Sequence, residues 1–135
     1  MPIPRPTRPQ ILVVAALAYW LVLFVATHRP IVPGSWLANV SRPASLMHLD
    51  KVQHVVAFAA LAVLLCAAAA GYVRPSWWLY AGVIGSVALY GAFDEWSQGL
   101  IDYRYPDARD WVADVFGAAL GVLAFALARR WRRSE

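Results

Sequence analysis

Four stretches of the chain are nearly free of charge, and short polar segments separate them. Residues 11–27 ("ILVVAALAYWLVLFVAT") carry no charge in seventeen positions. Residues 52–73 are polar only at their start, at Gln53 and His54. Residues 77–93 are again uncharged, and 111–128 hold a single charge, Asp114. About 17–25 such residues let a helix cross a bilayer. Lipid requires every backbone group to be bonded internally, which selects helix over an isolated strand. The pattern therefore predicts an all-α, polytopic membrane protein in one domain, 1–135. Its four transmembrane helices are expected near 11–27, 52–73, 77–93 and 111–128. Pro30, Pro33 and Gly34 end the first run, and Pro43 forbids a continuous helix through the loop that follows. Within that loop "SWLANV" is expected to form a short helical turn along the membrane surface. Gly71 and Pro75 bracket a tight connection that makes the second and third helices an antiparallel hairpin.

Composition strengthens this picture. The 135 residues are 61% hydrophobic and only 15% charged, whereas soluble domains are nearer half apolar and a quarter charged. Too little polar surface is left to cover a water-soluble globule. The first run, preceded by Arg5 and Arg8, has some signal-peptide character, but it is long and lacks a small-x-small cleavage site. With four crossings, one side of the membrane holds Arg5, Arg8, Arg74, Arg129, Arg130, Arg132 and Arg133 against Glu135 alone. The other side holds five basic residues against seven acidic ones. The excess of arginine predicts that both termini are cytoplasmic. The basic tail "ARRWRRSE" then reads as an anchor on the anionic inner leaflet rather than as a nucleic-acid site. Cys66, the single cysteine, falls mid-helix and makes no internal disulfide, so packing is its expected role.

The candidate chemistry lies at the outer helix ends. Six of the eight acidic residues fall between Asp94 and Asp114. Asp50, Lys51 and His54 ("DKVQH") open the second helix, with Asp50 and His54 one turn apart. Asp94, Glu95 and Gln98 close the third. Asp107, Asp110, Asp114, Gly117 and Gly121 follow steps of three and four, one stripe on one face of the fourth helix. Alternating helix direction brings the three groups to one membrane boundary, with Asp114 about 6 Å deeper than Asp110. Ionisable groups at that depth are functional candidates. Simpler roles exist for each residue. Asp107 or Asp110 can cap a helix, His54 can be a bonded interior histidine, Lys51 can snorkel, and Gly117 with Gly121 forms a small-xxx-small packing stripe. Their convergence is what points beyond structure.

Those residues resemble a known family. Asp50-Lys51-x-x-His54 is similar to the Asp-Lys-x-x-His of VanZ-like membrane proteins. Glu95-x-x-Gln98, Arg104 and Asp110, six residues apart, resemble that family's second block, and the likeness continues through position 114 to Gly117 and Gly121. Asp114 stands where the family often has Asn, and Asp102-Tyr103 where it commonly has Pro-Gly. The resemblance implies a small multi-pass protein of the bacterial cytoplasmic membrane. It also implies an association, through the founding member, with resistance to the glycopeptide teicoplanin.

Two functions are expected to compete. In the first, the outward cluster binds or modifies an envelope lipid, glycolipid or lipid-linked precursor. His54, Glu95 and Asp110 then exchange protons, while Asp50, Lys51, Gln98, Arg104, Arg109 and Asp114 bind; the two arginines suit a phosphate or carboxylate. In the second, the protein is a non-enzymatic structural or interaction protein whose polar residues only fix helix packing. No cofactor is expected. A divalent metal at His54, Glu95 and Asp110 or Asp114 is a further alternative. Membrane lipids are the expected partners, and the sequence leaves oligomeric state open.

Overall fold

The computed structural model describes residues 7–28, 44–101 and 106–134, and for 44–50 the backbone alone. Among these residues it is all helical, with no strand. The helices are α1 (Arg8–Thr27), α2 (Ala44–Ala69), α3 (Trp77–Gln98) and α4 (Ala108–Trp131). The surface turn expected at "SWLANV" lies outside the described residues.

Local chemistry sets the helix ends. At α1 the Thr7 backbone N–H donates to Gln10 Oε1 at 2.8 Å, half of a capping box. Ser76 opens α3 by accepting the Leu79 N–H, and Asp107 opens α4 by accepting the Arg109 N–H at 2.9 Å. The second helix differs from its expected bounds. It starts at Ala44, directly after Pro43, so Asp50-Lys51-x-x-His54 lies inside the helix rather than at its first turn. It also stops at Ala69, and a connection of residues 70–76 leads to α3.

Among the described residues, three helical segments are long and apolar enough to cross a membrane: Arg8–Thr27, Lys51–Ala69 and Ala108–Trp131. The 22 residues of α3 suffice in length, but its Trp, Tyr, Gly and Ser residues dilute its hydropathy. The bundle core is thin. Phe58, Leu61, Ala62 and Cys66 of α2 meet Val83 and Val87 of α3 and Ala118 and Val122 of α4. From α1 only Ala16 is buried. Large apolar side chains such as Leu17, Leu21, Val56, Leu89, Phe116 and Leu123 face outward, Leu89 being 75% exposed. A soluble monomer rarely exposes so extended an apolar surface, whereas a lipid-facing one must.

The tightest pairing is α2 against α4, and glycine explains it. A Cβ at Gly117 would lie 2.4 Å from the Val55 carbonyl oxygen, and one at Gly121 would lie 2.2 Å from that of Ala59. The two backbones touch where "GAALG" faces α2, as the small-xxx-small pattern requires. At one end of the bundle Pro9 of α1 packs where a Cβ of Gly71 would sit. At the other end Thr27 of α1 bonds Asp94 of α3. The chain thus alternates direction, and the polar ends of all four helices gather at one pole.

Candidate functional site

The α2–α4 contact carries the first half of the polar pole. One turn above the Gly117–Val55 contact, His54 Nδ1 lies 2.8 Å from Asp114 Oδ1. A carboxylate oxygen only accepts, so Nδ1 is the donor in this pair. The other ring nitrogen, Nε2, faces Asp110 Oδ2 at 3.9 Å. The imidazole also stacks parallel to Phe58, which fixes its plane. Further out, Lys51 Nζ donates to Asp107 Oδ2 at 2.8 Å and also to Asp110 Oδ1. The Lys51 ammonium and the Arg109 backbone N–H stabilise the Asp107 carboxylate and hold it below its ordinary value of 3.8.

The second half comes from α3 and α1. Asp94 is 1% exposed, and its two oxygens are divided among donors. Oδ1 accepts from Thr27 Oγ1 at 2.9 Å and Tyr90 OH at 3.3 Å, and Oδ2 accepts from Gln98 Nε2 at 2.6 Å. His28, stacked on Phe24, closes this side. Its Nδ1 is 2.8 Å from the Phe24 carbonyl oxygen and its Nε2 2.8 Å from Ser97 Oγ. Glu95, also buried, accepts the backbone N–H of Asp107 at 2.7 Å. It thereby ties the end of α3 to the start of α4 and places a carboxylate at the positive end of that helix. Trp111 adds a second tie, its indole N–H donating to the Ala88 carbonyl at 2.9 Å.

One atom breaks this pattern of satisfied partners. Asp114 is 1% exposed, yet its Oδ2 has no hydrogen-bond partner among the described residues. It points toward Gly91, where a Cβ would lie 3.0 Å away. The missing side chain at 91 is therefore what makes room for the carboxylate. A buried acceptor left unpaired costs about 1–3 kcal/mol, and such exceptions call for an explanation in water, ion or function.

Of the nine residues expected to form the site, Lys51, His54, Glu95, Gln98, Asp110 and Asp114 meet at this pole. Arg109 sits beside them but is exposed, and its guanidinium makes no ion pair with the described residues. Arg104 and the Asp50 side chain lie outside the described residues. Among the described residues, no group of three or more His, Cys, Asp or Glu is arranged to hold a metal ion. Thr27, His28, Tyr90, Ser97 and Trp111 are not candidates from sequence, whereas Asp94 is grouped there with Glu95 and Gln98 at the outer end of the third helix. Two signals mark part of this set: Thr27-His28 is a polar pair where the uncharged run 11–27 ends, and Tyr90, Asp94 and Gln98 stand at steps of four; neither signal marks Ser97 or Trp111.

The pole combines an oriented His–Asp pair, a buried second aspartate held by three donors, and a carboxylate that docks two helices. It can relay a proton between His54 and an adjacent group. It can also accept a hydrogen bond at Asp114 Oδ2. Residues 5–129 match the family model described as VanZ/LLP1. No curated protein and no solved structure matches the chain.

Proposed function

This chain belongs to the VanZ/LLP1 family, and from that premise and the geometry of the polar pole we propose an envelope-lipid site facing the outside of the bacterial inner membrane. On this reading α3 crosses together with the three more apolar helices. Both termini are cytoplasmic, as the arginine excess at the opposite end requires. The pole then lies at headgroup depth on the extracytoplasmic side.

The observation that carries the proposal is the unpaired Asp114 Oδ2 beside His54. A network that only packed helices would gain by satisfying that oxygen, since a half-satisfied buried network is worse than an apolar one. A ligand that donates a hydrogen bond completes it. Acids also outnumber basic residues on this side, seven to five. The field thus favours hydroxyl or ammonium groups of a lipid, glycolipid or lipid-linked precursor over a bare phosphate. In the catalytic version the His54 imidazole takes a proton from the bound hydroxyl or amine, and Asp114 stabilises the imidazolium, as in other His–carboxylate pairs. A teicoplanin-resistance phenotype belongs to the same proposal, because it would follow from altered envelope precursors.

The experiment is to express Glu95→Gln and His54→Ala variants and compare lipid composition, glycopeptide susceptibility and membrane abundance with wild type. Loss of effect at normal abundance supports the site. A purely structural role is the second reading, favoured by the closed Lys51–Asp107–Asp110 contact. If both variants simply fail to accumulate, that reading replaces the first.

A further inference from the structure

The end of the bundle opposite the polar pole carries a second, unassigned feature. Phe125, Ala128, Arg129, Arg132 and Arg133 line a pocket of about 270 Å³ at the end of α4. Arg129 lies in the last turn of α4 and Arg132 and Arg133 in the turn that follows it, and all three side chains line this one pocket. Phe125 lies one turn, about 6 Å, deeper along the helix. It packs edge-on against Tyr80, with centroids 6.4 Å apart, and so gives the pocket a fixed apolar floor.

No described residue compensates the charge in this pocket. Between Asp114 and the end of the chain the only acidic residue is Glu135, and no ion pair joins the three guanidinium groups to any described residue. Arg129 Nε is moreover buried without an acceptor among the described residues. The carbonyl end of a helix stabilises cations, which explains basic residues in the last turn but not a sequestered, unbonded guanidinium N–H. That donor needs an oxygen that the described residues do not supply.

We infer that this pocket binds the phosphodiester of an anionic phospholipid, with Arg129 as its central donor. Arg132 and Arg133 flank the phosphate, and one acyl chain lies against Phe125 and Ala128. Guanidinium suits this task because its forked donors match phosphate oxygens. The apolar floor, one turn deeper, is what favours a lipid over a free phosphate. The inference is independent of the outer pole. It differs from a diffuse basic anchor in one testable respect: Arg129 must matter more than its neighbour Arg130, which carries the same charge but does not line the pocket.

The test is native mass spectrometry of the full chain released from bilayers containing equal amounts of phosphatidylglycerol and phosphatidylcholine. Wild type should retain one phosphatidylglycerol, and Arg129→Met should weaken that retention about tenfold. Arg130→Met should change it less than twofold. An Arg132→Gln/Arg133→Gln double variant, altered only at exposed side chains, should weaken it like Arg129→Met without lowering thermal stability. Equal effects of Arg129→Met and Arg130→Met would reduce the pocket to a diffuse anchor. Displacement of the lipid by millimolar inorganic phosphate would assign the pocket to free phosphate, and absence of retained lipid would remove the site.

Discussion

Replacing Gly117 by Ala tests the dependence of the polar pole on backbone contact below it. The new Cβ would lie 2.4 Å from the Val55 carbonyl oxygen, where ordinary contact begins at 3.4 Å. Backbone cannot swing aside as a side chain can, so α2 and α4 must part by about 1 Å. His54 is the residue before Val55, and Asp114 lies three residues before Gly117. Their 2.8 Å hydrogen bond would stretch to roughly 3.8 Å, beyond useful geometry. Overpacking costs about 1–3 kcal/mol, and losing a charge-assisted bond about 1.5–3 kcal/mol more. Alanine's better helix propensity returns about 1 kcal/mol. The net loss is about 1.5–5 kcal/mol. Cys66 is fully buried and the only cysteine, so a thiol-reactive fluorophore reports unfolding in detergent directly. Gly82→Ala and Gly85→Ala are the controls, since nothing lies within 4 Å of either added Cβ. They should be neutral or slightly stabilising. The coupling also predicts non-additivity: Asp114→Ala should cost less in a Gly117→Ala background, where its bond is already broken. If Gly117→Ala melts with the controls, or the two substitutions add, the pole does not depend on the glycine contact.

Other outcomes follow from the same geometry. Asp114→Asn retains an acceptor for His54 Nδ1 and should melt near wild type, whereas Asp114→Ala strands the imidazole N–H and should cost about 1–3 kcal/mol. Lys51→Met should destabilise modestly, and adding Asp110→Asn should restore most of the loss, because the buried cost is the unpaired carboxylate rather than the missing lysine. The Asp107 carboxylate, held below its ordinary value by Lys51, contributes stability that is present above that value. Melting temperature should therefore fall as pH drops from about 5 towards 3 and through the lowered value, and Lys51→Met should flatten that part of the profile.

Much of this arrangement was legible from residue spacing. The four apolar runs located the helices, the stripe from Asp107 to Gly121 predicted one face of α4, and chain reversal predicted a common polar pole. Gly117 and Gly121 do what a small-xxx-small pattern implies, with carbonyl oxygens of α2 in the space of the missing side chains. Asp107 acts as the helix cap its position suggested, and Glu95 turns out to support that cap from α3. What spacing could not give is partner choice across helices. Periodicity places Asp94 on a face but does not say that Thr27 and His28, 67 and 66 residues earlier, face it. Nor does it say that Asp114 keeps one oxygen unpaired, because that depends on Gly91 of a different helix. The start of α2 was misplaced for a local reason. The apolar run begins at Val52, whereas the helix begins at Ala44, directly after Pro43 in sequence.

The proposal that the pole receives an envelope lipid rests on the unpaired oxygen of Asp114, and Asp114→Asn addresses it most directly. Lipids retained by wild type and by this variant should be compared by native mass spectrometry, with melting temperatures measured on the same samples. Wild type should carry a lipid with a hydroxyl- or ammonium-bearing headgroup. The variant, which offers an N–H where the acceptor stood, should lose that lipid while melting near wild type. Identical retained lipids in both proteins, with a lowered melting temperature in the variant, would contradict it and leave the pole as helix packing alone.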